Sequence, residues 1–534
     1  MKFDDVLEHI GTYGIYQKYI FVLSCIPEVF VGLFLLNTVF LLAIPNHRCE
    51  IPGYDNDTYK IQNTEHEDLI NKYIPTSDDY DYNRCYVCHY NNTSNHIIYE
   101  REIRPQQNCS LTEATQCNKW VYDKTDILTT FVTQIDLVCD KEIWVANIQM
   151  IFYGGMLVGS VASGVLSDKY GRKVVTYISM LVMVASSIGL SWANTLWLFC
   201  VLEFILGCAV VASFMPIYVI TLEITGTDKR VWPGIVSNFP YTLGLLILSG
   251  VAYGFKDWFK IQLYTSIPGV ILVSFWWIIP ESPRWLLTKG RVTEAIEIIN
   301  KMAKWNGTTP PDRLLDLKHE ENEEESSWII LFTTRKQLLQ TCIIFFNWAA
   351  VALAYFGLAL NSGNLHGDLY LNFALSGLVE IPAYVMVVGL VDRVGRRKLY
   401  SVTMIIGGLS CASTLLAIKF GTEDTNILVT ILSLLGRLCV TAAFAVAYIH
   451  SAELFPTVVR NAGLGGASLF ARVGTMVAPY IVVWGDLYGG MMKESLPLLV
   501  FGIVSLMSGV LSLLLPETLN MDLPDSLQEK DVRM

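Results

Sequence analysis

The sequence predicts an all-α integral membrane protein of about twelve transmembrane helices, arranged as two six-helix pseudo-repeats. Three observations carry that prediction: a composition too apolar for a soluble fold, a dozen apolar windows of spanning length, and charged signatures that recur in order in the second half. Of the 534 residues, 52% are apolar and only 16% charged, with a mean hydropathy of +0.42. Soluble domains carry about 25% charged residues. The net charge of −11 argues against nucleic acid as a partner. No glycine-rich phosphate loop ending in Gly-Lys-Ser/Thr occurs, so nothing indicates an ATP-driven pump.

The first segment, 1–18, is acidic and lacks the basic region and small-residue cleavage site of a signal peptide. It is expected to be cytoplasmic, with the first helix as its own insertion signal. A window of about 20 apolar residues, the length that crosses a bilayer, places spans at roughly 19–44, 144–166, 174–192, 196–222, 232–254 and 260–280, then 337–360, 369–391, 399–418, 426–449, 462–484 and 495–515. The two bundles are thus 19–280 and 337–516, with a tail at 517–534. Lysine and arginine gather in "SDKYGRK", "GTDKR" and "DRVGRRK", while "SWAN" and "NSGNLHGD" on the opposite side have neither. The basic side is therefore expected to be cytoplasmic, with both termini on it.

Two loops are long. The first, 45–143, is acidic and carries Asn-x-Ser/Thr acceptors at Asn56, Asn91, Asn92 and Asn108. It also holds Cys49, Cys85, Cys88, Cys109, Cys117 and Cys139, which suit up to three disulfides in an extracellular loop, with the pairing open. "CYVCH" at Cys85 matches a haem-attachment pattern, but its setting among other cysteines and glycosylation acceptors reads as disulfide framework, and no cofactor is expected. The second long loop, 281–336, joins the halves. Ala295, Ile296, Ile299, Met302 and Ala303 share a helical face there, and "HEENEEESS" reads as a solvated run. Asn306 fits the acceptor pattern on the wrong side for glycosylation.

The repeat is explicit. Asp168, Gly171 and Arg172 recur as Asp392, Gly395 and Arg396, 224 positions later. Glu223 and Arg230 recur as Glu453 and Arg460 after 230 positions, and Glu281 recurs as Glu517 after 236. Glycine permits the tight reversal between helices, and the acid and base residues are placed to bridge helix ends at the cytoplasmic mouth. Such bridges must break if two parallel halves rock about a central site, as in alternating access.

The motifs "SGVLSDKYGRK", "IPESPRWLLTKGR", "AELFPTVVRNAGLG" and "LLPETLNMDLPDS", with the cysteine-rich loop after span 1, resemble the organic cation, carnitine and organic anion transporters. These are a solute-carrier branch of the major facilitator superfamily, and the resemblance covers nearly the whole chain. It implies the major facilitator fold, a plasma-membrane location and small organic ions as cargo. It also implies cavity positions for Tyr355, Glu380, Phe214 and Tyr218, and for Arg472, where cation-selective members carry aspartate and anion or carnitine members arginine. Glu203 departs from the family pattern, since many major facilitators place an arginine near it.

Ionisable residues inside spans are functional candidates by default. Here they are Glu28, Glu203, Glu380, Arg437 and Arg472. A guanidinium offers a bidentate partner to a carboxylate. Phe214, Tyr241 and Tyr355 offer aromatic faces to an ammonium, and Glu380 a counter-charge. That combination suits a zwitterion, carnitine-like or amino-acid-derived. Alternatively, Glu380 and Arg472 neutralise one another, or Arg437 is the partner of an acid across the bundle. The function expected is secondary transport of small organic ions, coupled to sodium, a proton or an exchanged anion. A second reading is an organic anion exchanger, resting on Arg472. A receptor that binds without transport has no need of two matched gates, and no metal or nucleophile constellation suggests an enzyme.

Overall fold

The computed structural model describes residues 3–75, 82–88, 114–226, 229, 231–310, 332, 334–420, 425–455, 459–488 and 490–519. Among the described residues, twelve helices are long and apolar enough to cross a membrane: span 1 Ile15–Leu41, span 2 Cys139–Tyr170, span 3 Arg172–Leu190, span 4 Leu196–Glu223, span 5 Pro233–Phe255, span 6 Trp258–Ile278, span 7 Arg335–Asn364, span 8 Leu369–Val394, span 9 Arg396–Phe420, span 10 Ile427–Leu454, span 11 Ala462–Gly485 and span 12 Ser495–Ser512. The number agrees with the sequence reading, and the boundaries move by a few residues. Large apolar side chains such as Trp197, Trp277 and Leu514 face outward, the surface a bilayer covers.

Lipid tails give helices no hydrophobic reason to associate, so close backbone approach at small residues does that work. A Cβ added to Gly32 of span 1 would stand 2.2 Å from the Tyr241 carbonyl of span 5, and one on Gly244 would stand 2.3 Å from the Val29 carbonyl. The equivalent contact in the second half joins Gly474 of span 11 to the Ala349 carbonyl of span 7, at 2.2 Å. Span 2 packs on span 4, span 3 on span 4, and span 9 on both span 10 and span 12. Proline reshapes three spans. Span 5 breaks at Ser237, between a short helix Val231–Val236 and a helix that resumes at Asn238 just before Pro240; span 8 breaks at Val379 before Pro382; span 6 runs as a 3₁₀ helix over Ile267–Ser274 around Pro268.

The two halves meet along spans 2 and 11 and along spans 5 and 8. Their named contacts run from mid-membrane to the end that carries the large loop. Ser249 Oγ donates to the Tyr370 carbonyl at 2.7 Å, Tyr480 Oη donates to Asn147 Oδ1 at 2.8 Å, and Phe40 stacks on Tyr370 and meets Phe373 edge-on. The halves are clasped at that end.

The described part of the first loop forms a small domain of two antiparallel pairs: β1 (His47–Cys49) with β4 (Trp120–Tyr122), and β2 (Tyr86–Cys88) with β3 (Ala114–Gln116). Disulfides Cys49–Cys117 and Cys85–Cys139 close it. Cys88 is also disulfide-bonded, and Cys109 lies outside the described residues. Asn56 is exposed with a left-handed backbone, while Asn91, Asn92 and Asn108 lie outside the described residues. Behind β1, Arg48 is fully buried and paired to Asp57, which also accepts from His66 Nε2 and the Ile51 N–H. Burial pushes the Asp57 carboxyl up, but these donors, led by Arg48, outweigh it and hold Asp57 below its usual range.

One element was not anticipated. Residues Phe3–Ile10 are a helix whose Phe3, Val6, Leu7 and Ile10 are buried. It lies beside the linker helix Val292–Asn306, which buries Ala295, Ile299, Met302 and Ala303, with Ile296 partly buried. Asn306 is a hub rather than a surface residue: its Oδ1 accepts the Tyr16 N–H at 3.0 Å and its Nδ2 donates to the Ile10 carbonyl at 2.9 Å. The linker is thereby fastened to the start of span 1. The acidic run lies outside the described residues.

Candidate functional site

The basic end of each half is built on one plan. Gly171 turns the chain between spans 2 and 3 at φ +104°, a conformation L side chains rarely adopt. A Cβ there would stand 2.4 Å from Glu281 Oε2. The space is needed because Glu281 accepts the N–H groups of Arg172 at 3.0 Å and Lys173 at 3.2 Å, capping span 3. In the second half Gly395 turns at φ +98°, and Glu517 accepts the N–H of Arg396 at 2.8 Å and Arg397 at 3.3 Å. A carboxylate on the orphan donors of a helix start is favourable by hydrogen bonding and by the helix dipole.

The arginine of each motif then reaches two acids. Arg172 pairs with Asp168 at 3.0 Å and Glu223 at 3.4 Å; Arg396 pairs with Asp392 at 3.0 Å and Glu453 at 3.1 Å. Each cluster stays within its own half. Glu453 is bound to Arg396, and Arg460 of its own signature donates from Nε to the Phe455 carbonyl. Arg230 lies outside the described residues. His450 Nε2 sits 3.1 Å from the Pro516 carbonyl, a packing role.

Two charged centres lie at mid-membrane. In the first, Glu380, at the break in span 8, is fully buried and paired with the buried guanidinium of Arg437 from span 10. Its Oε1 also accepts Tyr355 Oη at 2.7 Å, and its Oε2 accepts Thr242 Oγ1 of span 5 at 3.0 Å. Arg437 donates to the Tyr355 carbonyl, and its guanidinium carbon lies 3.8 Å from the Tyr355 ring centre. Tyr241 and Tyr384 lie within electrostatic reach of this pair. Glu380 is thus not the neutraliser of Arg472; Arg437 is its partner.

The second centre is unsaturated. Arg472, at the middle of span 11, has no hydrogen bond or ion pair among the described residues and interacts electrostatically with Tyr448 of span 10. Tyr448 is enclosed by helices yet 53% exposed, and Arg472 is half-buried, so both border water-accessible space inside the bundle. Aromatic rings connect the centres: Tyr355 meets Phe444 at 5.4 Å, Phe444 meets Tyr448 at 5.8 Å, and Tyr448 meets Trp348 at 4.4 Å between centroids. From the first half, Phe214 and Tyr218 of span 4 pack together at 5.7 Å, and Tyr218 interacts electrostatically with both Tyr448 and Glu28. Glu28 is buried at the middle of span 1 with Oε2 unpartnered. Glu203 is buried too, with neither carboxylate oxygen hydrogen-bonded among the described residues. A separate cleft of about 480 Å³, bordered by Tyr122, Trp192 and Trp258, contains none of the site residues selected from sequence.

Sequence reading missed Thr242, Tyr384, Phe444 and Tyr448. The first two are noticeable only once Glu380 is located in space. Tyr448 and Phe444 are four apart on one helix face, a spacing that packing residues share.

Two duplicated six-helix halves clasped at one end, with charges at mid-membrane, define a secondary transporter of the major facilitator type and not an enzyme. Solved structures agree on the fold: the proton:xylose symporter XylE bound to 6-bromo-6-deoxy-D-glucose matches with a TM-score of 0.61 at 14% identity, over 96% of this chain and 99% of that one. A partially occluded inward open conformation of XylE from E. coli matches with a TM-score of 0.60 over 94% and 98%. The family model "Sugar (and other) transporter" matches residues 83–525. An organic cation transporter protein of Drosophila melanogaster is 34% identical over 99% of this chain and 94% of its own length. The human organic cation/carnitine transporter 2 is 33% identical over 99% and 93%, and human solute carrier family 22 member 13 is 30% identical over the same shares. The chain belongs to the organic cation/carnitine transporter (solute carrier 22) family of the major facilitator superfamily.

Proposed function

We propose that the chain carries small organic ions, zwitterions foremost, across the plasma membrane by alternating access, with both termini cytoplasmic and the cysteine-rich loop outside. The observation that carries this reading is the guanidinium of Arg472, which has no hydrogen-bond or ion-pair partner among the described residues and lies beside Tyr448 in water-accessible space inside the bundle. An unpaired cation inside a membrane costs several kcal/mol, so its retention calls for a ligand. A carboxylate is the ligand whose geometry a guanidinium fits. The names of relatives, organic cation and carnitine transporters among them, support the cargo class. Tyr218, Phe214 and the Tyr355–Phe444–Tyr448 wall supply aromatic surface for an ammonium or an apolar body. Tyr241 borders the closed centre. In this reading Glu380 and Arg437 set the shape of the site rather than binding cargo.

The Asp168–Arg172–Glu223 and Asp392–Arg396–Glu453 clusters, with their capping acids Glu281 and Glu517, act as latches of the cytoplasmic mouth. Arg230 and Arg460 belong to the same signatures. Sodium, a proton or an exchanged anion supplies the coupling, and ion replacement during uptake separates them.

A second reading, organic anion exchange, is favoured by one observation: Arg437 already neutralises Glu380, which leaves Arg472 in charge of the site. Tracer uptake by cells expressing the full chain tests both, using a carnitine-like zwitterion, a permanent cation and a dicarboxylate. Saturable accumulation of the zwitterion is expected. Accumulation of dicarboxylate alone selects the exchanger, and saturable binding without accumulation overturns transport altogether.

A further inference from the structure

We infer that Glu28 is the cation-binding pole of the cargo site, facing Arg472 across the bundle, so that the site takes a small zwitterion with one charge anchored in each half. This rests on the proposed transport function and names the residue that holds the ammonium end.

Glu28 stands at the middle of span 1, directly after Pro27. Its Oε2 is buried without a hydrogen-bond partner among the described residues. Among the described residues, Cys25, one turn back on the same helix, and Tyr218 from span 4 lie in electrostatic reach of it, and no lysine or arginine does. A carboxyl so placed either keeps a proton or waits for a cation. Glu203 has the same lack of partners among the described residues, but it is fully buried beside Tyr153 and Cys200, so cargo does not reach it. Glu28 differs because Tyr218 links it to Tyr448, which borders open space, and Tyr448 links onward to Arg472. The line Glu28–Tyr218–Tyr448–Arg472 therefore runs from span 1 through spans 4 and 10 to span 11. Its negative pole lies in the first half and its positive pole in the second. Two phenol rings between the poles suit the alkyl or ammonium body of the cargo.

The arrangement also explains selectivity of movement. Closing water out of a site that holds two unpaired charges is costly, whereas one zwitterion satisfies both poles at once. A cargo with a single charge leaves the other pole bare.

The test uses cells expressing the full chain, with surface expression measured for every variant. The probes are a short ω-amino acid, a quaternary-ammonium carboxylate and the matching monocarboxylate without nitrogen. Glu28→Gln is expected to raise the KM of both zwitterions by about tenfold or more, the scale of a lost charge-assisted contact, with the monocarboxylate KM unchanged within about twofold. Glu28→Asp is expected to recover part of the zwitterion uptake. Arg472→Gln is expected to impair all three carboxylates. Unchanged zwitterion KM in Glu28→Gln overturns the assignment while leaving transport and the Arg472 role standing. A parallel loss of all three probes in Glu28→Gln, with normal surface expression, also overturns it, because that pattern marks a structural residue. Failure of the wild-type chain to accumulate any probe overturns the functional reading itself.

Discussion

The two charged centres at mid-membrane use the same chemistry to opposite ends. Glu380 and Arg437 satisfy each other, and every oxygen of Glu380 has a donor: Arg437 and Tyr355 on one, Thr242 on the other. Arg472 and Glu28 lie in different halves, and among the described residues neither has an ion-pair partner. A saturated pair inside a membrane is a fixed part of the architecture. An unsaturated one stores a demand that only a ligand or a conformational change can meet. Charge inside a span is therefore a weak guide to function, and lack of a partner narrows the candidates only where the group also borders open space, which buried Glu203 does not.

The sharpest way to break this comparison is to unpair the saturated centre. Arg437→Met leaves Glu380 buried with its counter-charge gone, a change that costs about 3–5 kcal/mol in buried pairs. The detergent-solubilised variant is expected to melt many degrees lower or to fail to mature. Replacing both partners, Glu380→Met with Arg437→Met, is expected to restore most of the apparent melting temperature. If the single variant melts like wild type, the pair is not structural.

The same substitution logic at the open centre should give the reverse pattern. Arg472→Gln removes a charge that no described residue pairs with, so stability is expected to hold within about 1 kcal/mol, or to rise. Uptake of carboxylate-bearing cargo is expected to fall at least about tenfold. A melting temperature that drops as far as that of Arg437→Met would show Arg472 to be a structural charge.

How much of this was legible beforehand follows from the range of each signal. Spans, turns and the repeat are local patterns, so the twelve helices and the Asp168/Asp392 motifs could be read directly. The cysteines announced disulfides but not their pairing, since Cys49 and Cys117 meet only through the folded loop. The helix Phe3–Ile10 carried apolar residues at helical spacing, but two turns are too few to read against an acidic terminus. Arg472 stood out as a charge in an apolar run. That Glu380 belongs to Arg437 instead is a fact about three neighbouring helices, which no one-dimensional spacing contains. The proposed Glu28–Arg472 axis crosses four spans, so sequence could name its end residues but not join them.

A milder contrast separates the two proposed latches. Glu453 accepts Arg396 Nε on Oε1 at 3.2 Å and Thr518 Oγ1 on Oε2 at 2.5 Å, whereas Glu223 Oε2 has no hydrogen-bond partner among the described residues. Glu453→Gln is therefore expected to weaken its latch more than Glu223→Gln. The effect is about 1 kcal/mol, because both clusters are partly exposed. Solvent labelling of a cysteine placed at the mouth reads the difference, and equal labelling of both variants removes the asymmetry.

The smallest effect expected is also the one with a sign that distinguishes the halves. Burial is the main influence on Glu281 and lifts its carboxyl above the ordinary 4.5, despite the backbone donors of Ser282, Lys173 and Arg172. Burial acts upward on Glu517 too, but the N–H groups of Arg397, Thr518 and Arg396 prevail and bring it below 4.5. A carboxyl raised on folding contributes stability that is present below pH 4.5 and lost as pH rises through its folded value. A carboxyl lowered on folding contributes stability that is present above 4.5 and lost as pH falls through its folded value. Glutamine at either position abolishes that titration. The destabilisation by Glu517→Gln should therefore shrink as the medium is taken from about pH 7.5 to pH 4, and that by Glu281→Gln should grow over the same range. Apparent melting temperatures of the two variants against wild type across that range measure both slopes. Slopes of the same sign would mean that the two caps, alike in geometry, are alike in electrostatics as well.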